Sequence, residues 1–267
     1  MIDERKRVSF GSEAALYEEA RPSYPDSLID DIIEQSGISS GDRILEIGAG
    51  TGKATAMFAS RGQSVLAVEP GKEMAEIAER KFRSNPKVQV QQSKFEDWDD
   101  RGEQFGVVAA AQSFHWVDPA IKYHKSAAVL KPGGHIALFW NIAHGLDPDI
   151  CKGLDKIYQD YFQNKQPSFL IEQVKTNESA LKSTSKIEGE LKDSGNFSNI
   201  KTLCYIWSHE YKRAEFLNFV NTHSDHLILD AATRNKLFLK VGAYIDSIGG
   251  KITYPFKTEL HLAEVVS

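Results

Sequence analysis

From residue 43 to about residue 141, short apolar runs alternate with longer amphipathic stretches, and this constrains the fold more than any other feature. Arg43–Ile47 (RILEI), Ser64–Glu69 (SVLAVE), Lys87–Gln91 (KVQVQ), Phe105–Ala111 (FGVVAAA) and Gly134–Asn141 (GHIALFWN) are mostly aliphatic or β-branched. They are bounded by Gly, Asp, Asn or Pro, as strands are. Between them, Lys53–Arg61, Gly71–Arg83 and Pro119–Leu130 have the length and apolar spacing of helices. Such β-α-β alternation implies a parallel sheet with helices on both faces. Each crossover is then right-handed.

Upstream, Ser12–Ala20 and Pro25–Glu34 read as helices, and Arg21-Pro-Ser-Tyr-Pro25 between them prevents one continuous helix. Residues 146–195 are polar, lysine-rich and helix-leaning with weak periodicity. Ile200–Tyr211 and Lys251–Val266 read as two long strands, with helices near Arg213–Thr222 and Ala231–Ser247. An antiparallel pair closing a parallel sheet fits this order. A chain of 267 residues has room for one large domain, or one domain with an insertion.

The formal charge of −5 argues against a wholly basic nucleic-acid surface. Cys151 and Cys204 are far apart and in no CxxC pair, so they read as reduced, buried or half-buried thiols. The charged start MIDERKR is unlike a signal peptide. No run reaches the ~18 apolar residues that span a bilayer. A cytoplasmic chain without a membrane partner is expected. The histidines show no metal-ligand spacing, and His223 and His226 lack a third ligand, so no metal is expected.

The most informative stretch is Ile44-Leu-Glu-Ile-Gly-Ala-Gly-Thr-Gly52, where a strand runs into Gly48, Gly50 and Gly52 and a helix starts near Lys53. Glycines there allow a sharp turn and a close backbone approach to a ligand. The helix start offers unpaired N–H groups. Lys53 stands where a dinucleotide fingerprint has its third glycine, which disfavours pyrophosphate and a nicotinamide enzyme. Glu46 puts a carboxylate in an otherwise apolar strand, costly without a partner; the ammonium of an amino-acid ligand would be one, and an exposed strand end is the alternative. Glu69 ends the second strand 21 positions after Gly48. A carboxylate at about that offset accepts hydrogen bonds from ribose hydroxyls.

Together these residues resemble the class I S-adenosylmethionine-dependent methyltransferases. Ile44–Gly52 is similar to their first motif and Val65–Pro70 to their ribose-binding second. Ser93-Lys-Phe-Glu-Asp-Trp98 resembles the adenine-side loop. Phe105–Ala111 with Gln-Ser-Phe-His-Trp-Val-Asp118 resembles strand four and its substrate-side loop, and Leu130-Lys-Pro-Gly-Gly134 the turn into strand five. More narrowly, Phe10, Ala14, Tyr17 and Arg21-Pro-Ser-Tyr-Pro25 resemble the trans-aconitate methyltransferase-like branch, also called the methyltransferase type 11 branch, which acts mainly on small molecules.

The resemblance implies a Rossmann-like, doubly wound α/β fold. Its sheet would be seven-stranded and mostly parallel with an antiparallel last strand, plus N-terminal lid helices and C-terminal helical insertions. Residues 1–40 would form the lid, 41–145 the S-adenosylmethionine-binding core, and 146–267 the cap segments and last two strands. Gly48, Ala49, Gly50, Thr51 and Gly52 would line the methionine part, with Glu46 at its amino group. Glu69 would hold the ribose, and Pro70 and Met74 would pack near the adenine. Phe95 and Glu96 would meet the adenine edge, and Ala111 and Gln112 would run toward the methyl group. Tyr17 and Arg21 would belong to the lid. Phe95 departs from the family, where a small residue is usual.

Methyl transfer from a sulfonium needs alignment above all, worth roughly 7–11 kcal/mol in favourable cases. A base is needed only when the acceptor must lose a proton. His115 is the candidate catalytic base in the acceptor loop; the alternative is that His115 and Trp116 only shape the pocket. Tyr24, Trp140, Asn141 and residues 146–195 are further acceptor-side candidates, with a core aromatic as the alternative for Trp140. The expected partner is a small-molecule methyl acceptor, with oxygen as the receiving atom. Gln112-Ser-Phe-His115 replaces the Asn/Asp-Pro-Pro-aromatic tetrapeptide of base-amino methyltransferases, which disfavours nucleic acid. A non-catalytic S-adenosylmethionine-binding protein, or an RNA or protein methyltransferase, is the alternative.

Overall fold

The computed structural model of the protein describes residues 20–162, 167, 169–170 and 186–266. Tyr17 and nearly all of the expected helix Ser12–Ala20 lie outside these residues, as does much of the lysine-rich stretch. The strands are β1 (Arg43–Ile47), β2 (Ser64–Glu69), β3 (Val88–Gln92), β4 (Phe105–Ala111), β5 (Leu130–Ala143), β6 (Phe197–Lys212) and β7 (Lys251–Val265). The helices are α1 (Asp26–Ser36), α2 (Lys53–Ser60), α3 (Lys72–Phe82), α4 (Lys122–Ala128), α5 (Pro148–Phe162), α6 (186–193), α7 (Arg213–Asn221), α8 (Ser224–Leu227) and α9 (Ala231–Ser247).

All seven strands join one sheet in the order β3-β2-β1-β4-β5-β7-β6. β3, β2, β1, β4 and β5 run parallel, and β7 runs antiparallel to both β5 and β6. β7 therefore sits between two strands that precede it in the chain. The order reverses between β1 and β4, and ligands of open α/β sheets bind beyond the strand ends at such a reversal.

The central strands are buried on both faces, which is why β1, β2 and β4 read as unbroken apolar runs. One face packs Leu45, Leu66, Val108 and Ile136 against Phe95, Trp98, Phe114 and Tyr123. The other packs Ile44, Val65, Val107 and Phe139 against Leu28, Ile32 and Phe58. A third cluster joins α5, α7 and α9 to the chain-early half of β7 through Leu154, Tyr158, Phe216, Phe219, Val241, Tyr254 and Phe256. Buried apolar area of this kind is worth about 25 cal/mol per Å².

Several boundaries differ from the expectation, among them the start of β6, at Phe197 and not Ile200. Residues 119–121 are not helical: the Asp118 side chain accepts from the Ala120 N–H at 2.9 Å, an Asx turn that delays α4 to Lys122. β5 begins at Leu130, because Phe105 already pairs with Leu130 and the register shifts before Val107 meets His135. Cys151 is buried, whereas Cys204 is exposed on edge strand β6, so it is not the half-buried thiol expected. Among the described residues no helix is long and apolar enough to cross a membrane.

Candidate functional site

Where β1 ends, the chain turns in the left-handed region at Gly48, Gly50 and Gly52, with φ of 66°, 58° and 79°. A Cβ on Gly48 would stand 2.5 Å from the Ser113 Cβ, so the loop after β4 closes onto β1 only because this residue lacks a side chain. The Ser113 hydroxyl donates to the Ile47 carbonyl across this contact. A Cβ on Gly52 would meet the Phe82 ring at 2.4 Å, so this glycine lets α2 pack on α3.

Glu69 is 6% exposed, and both its oxygens are engaged. Oε2 accepts from the Gly50 N–H and Oε1 from the Gly71 N–H, each at 2.7 Å. The carboxylate thus bolts the glycine loop to the end of β2. Glu46 is 1% exposed, so it is not an exposed strand end. Its Oε2 accepts from the Thr55 hydroxyl at 2.5 Å. Burial pushes its carboxyl up to about 7. Thr55 and, more weakly, Lys81 pull the other way, while Glu69 adds to the rise.

These groups open into one cleft with an empty volume of about 1170 Å³, its open mouth included. The glycine loop, Glu46 and Lys53 line one part, and Glu69, Pro70, Met74 and Phe95 another. Ala111, Gln112, Ser113, Trp116 and Val117 come from the end of β4 and its loop, and Arg21, Tyr24, Asn141 and Phe256 complete the wall. Gln112 holds a φ of 60°, rare for a residue with a side chain, while its N–H and Nε2 bond the carbonyls of Phe139 and Asn141 at 3.0 Å. Asn141 also donates to the Ser23 carbonyl at 3.0 Å and accepts from Thr258 at 2.6 Å. Arg21 donates from Nε to the Thr222 hydroxyl at 2.8 Å, with its guanidinium 5.5 Å from the Phe219 ring centre.

Residues 44–134 match the family described as a methyltransferase domain. An uncharacterized methyltransferase of Mycobacterium tuberculosis is 37% identical over 134 residues, covering 50% of this chain and 52% of the relative. An uncharacterized methyltransferase-like protein of Schizosaccharomyces pombe is 34% identical over 171 residues, covering 64% of this chain and 65% of the relative. The chain spans about half the length of the curated relatives it matches. In fold it is similar to a structure described as a type II methyltransferase from Anaeromyxobacter dehalogenans, with a TM-score of 0.61, 21% identity and coverage of 92% and 96%. It is also similar in fold to a phosphoethanolamine N-methyltransferase of Haemonchus contortus in complex with S-adenosyl-L-methionine (TM-score 0.54, 17% identity, coverage of 98% and 59%). Residues 44–134 carry a methyltransferase domain, set in a fold shared with the solved methyltransferases.

Of the residues expected in the site, Arg21, Tyr24, Glu46, Gly48, Ala49, Gly50, Thr51, Glu69, Pro70, Met74, Phe95, Ala111, Gln112 and Trp116 line the cleft. Gly52, Glu96, His115 and Trp140 do not. Gly52 caps α2 from behind the loop. The Glu96 carboxylate accepts from the Asp118 N–H at 3.0 Å, which ties the adenine-side loop to the acceptor loop. Phe95, the departure from the family pattern, is 1% exposed and stacks on Trp98 with ring centres 6.1 Å apart. Lys125 donates to the carbonyls of Glu96 and Trp98 at 2.9 and 2.6 Å and fixes this loop in place. His115 lies beside the rim, its ring centre 4.9 Å from that of Trp116. Trp140 faces His261 across the sheet, with ring centres 6.0 Å apart. Sequence reasoning missed Pro22, Ile47, Lys53, Ala54, Ser113, Val117 and Phe256 as lining residues. Ser113 stood inside the quoted acceptor-loop motif, whereas Phe256 reaches the cleft only through the pairing of β7 with β5.

Proposed function

We propose that the chain transfers the sulfonium methyl of S-adenosylmethionine to a small-molecule acceptor, at a carboxylate or hydroxyl oxygen. The observation that carries this reading is the continuity of the cleft. A carboxylate-and-glycine end suited to an adenosyl amino acid runs without a break into an end walled by Arg21, Tyr24, Trp116, Asn141 and Phe256. A methyl donor and an acceptor could meet there at bonding distance.

The residues fit the cofactor. Glu46 is a buried carboxylate suited to an α-ammonium, Gly48 lets the Ser113 loop close onto the end of β1, and Glu69 is already oriented by two backbone amides. Lys53, at the start of α2, suits the α-carboxylate. When bound, the sulfonium supplies an activated methyl group with a good leaving group. The chain's own work is to bind, orient and exclude water. Tyr24 is braced edge-on against Phe139, with ring centres 4.9 Å apart, and offers a rigid aromatic wall. Arg21 brings a cation to the acceptor end, which supports an acceptor with an anionic oxygen. Thr222 and Phe219 hold that cation in place, and the net charge of −5 disfavours a nucleic-acid acceptor.

The test pairs calorimetry with a transfer screen. S-adenosylhomocysteine should bind and NAD should not; labelled methyl transfer should then appear among small carboxylates and phenols before amines. Binding without transfer to any acceptor would favour a non-catalytic cofactor-binding protein. Absence of S-adenosylhomocysteine binding would overturn the proposal outright.

A further inference from the structure

We propose that Trp140 is a positioning residue whose indole N–H fixes His115, beside the rim of the cleft, as the Nε2–H tautomer, so that His115 offers an entering acceptor a hydrogen-bond donor and not a general base. The kinetic arm of this inference rests on the methyl-transfer reading; the tautomer itself does not.

The argument starts from an inventory of protons. Trp140 Nε1 lies 3.4 Å from His115 Nδ1, and an indole nitrogen can only donate. Nδ1 must therefore present its lone pair to the indole. A neutral imidazole has one N–H and one lone pair, so the proton resides on Nε2. An imidazolium would set two N–H groups against each other, and the surroundings already oppose it. Burial of part of the ring holds His115 below its ordinary value, and the ammonium groups of Lys122 and Lys186 add to the effect.

Trp140 is well placed to impose this choice because it cannot swing away easily. It sits on β5 with its backbone opposite Glu259 of β7, and its ring is half-buried against His261. For His115 to accept a proton at Nε2, its Nδ1 would have to carry hydrogen and face the indole N–H. The arrangement opposes base catalysis by this residue and leaves an N–H for an acceptor oxygen. An acceptor that is already an anion, such as a carboxylate, needs no base.

The test reads the tautomer directly. In ¹⁵N-histidine-labelled protein near pH 7.5, the signals that vanish in His115→Gln belong to His115. They should show a pyridine-like Nδ1 and a pyrrole-like Nε2. Trp140→Phe, which removes the N–H and keeps an aromatic ring, should shift them toward a mixture of both tautomers. A pyrrole-like Nδ1 in the unaltered protein, or spectra indifferent to Trp140→Phe, would overturn the proposal. With an acceptor from the screen, His115→Gln restores a side-chain N–H and should recover most of the turnover that His115→Ala loses. A lost base would cost ~10²–10⁴-fold in both variants, and that result would also overturn it. Trp140→Phe should lower turnover while leaving S-adenosylhomocysteine affinity in place. If no acceptor is ever methylated, the functional reading fails, yet the spectra still decide the tautomer.

Discussion

Replacing Glu46 with glutamine tests the charge logic of the cleft. Burial holds the ligand-free carboxyl at about 7 against an ordinary 4.5. That gap corresponds to about 3 kcal/mol between the protonated and charged forms. Because the folded value lies above the unfolded one, the contribution to stability is fully present below about 4.5. It is lost as pH rises through about 7. Glutamine carries no charge and can still accept from Thr55. Urea unfolding of ligand-free protein should therefore find Glu46→Gln more stable than the parent at pH 8, by up to about 3 kcal/mol, with the two converging near pH 4.5. Cofactor binding should move the other way. An α-ammonium favours the carboxylate, so affinity for S-adenosylhomocysteine in the parent should rise with pH and level off above about 7. The variant should lose roughly tenfold or more at pH 8, the size of a charge-assisted hydrogen bond. If Glu46→Gln were less stable at pH 8 than at pH 5 relative to the parent, or bound S-adenosylhomocysteine equally well, the reasoning would fail.

Glu69→Ala removes both the expected ribose contact and the two amide bonds that brace the glycine loop. Calorimetry should show S-adenosylhomocysteine binding weakened by about 100-fold, in line with roughly 1.5–3 kcal/mol per charged hydrogen bond; unchanged affinity would remove Glu69 from the site. Gly52→Ala places a methyl 2.4 Å from the Phe82 ring at a φ of 79°. Chemical denaturation should report a loss of about 2 kcal/mol or more from overpacking and backbone strain, and a neutral result would mean that α3 yields freely.

The bounds of β1, β2 and β4 were legible because strands buried on both faces leave unbroken apolar runs between glycine and charge. An antiparallel last pair fitted the order of elements along the chain, although the long helical connection between β6 and β7 does not by itself set their sense. What stayed hidden depended on partners distant in sequence. Leu130-Lys-Pro-Gly-Gly134 reads as a turn, and only the neighbouring β4 makes it part of a strand. Phe256 reaches the cleft and Thr222 anchors Arg21 through contacts that no local pattern encodes. Trp140 looked like a pocket aromatic; its indole instead points to an imidazole 25 residues earlier in the chain.

The slot between β5 and β6 is filled by a strand made after both. During synthesis the glycine loop and its carboxylates are made first, and β1 to β5 pair among themselves, but Leu260, Leu262 and Val265 of β7 must arrive to close their core. β6 then emerges with no neighbour, and β5 keeps a bare edge until Lys251–Val265 leaves the ribosome. An open edge of that kind invites mispairing with other chains. Of the cleft's lining, Phe256 alone waits for that last strand.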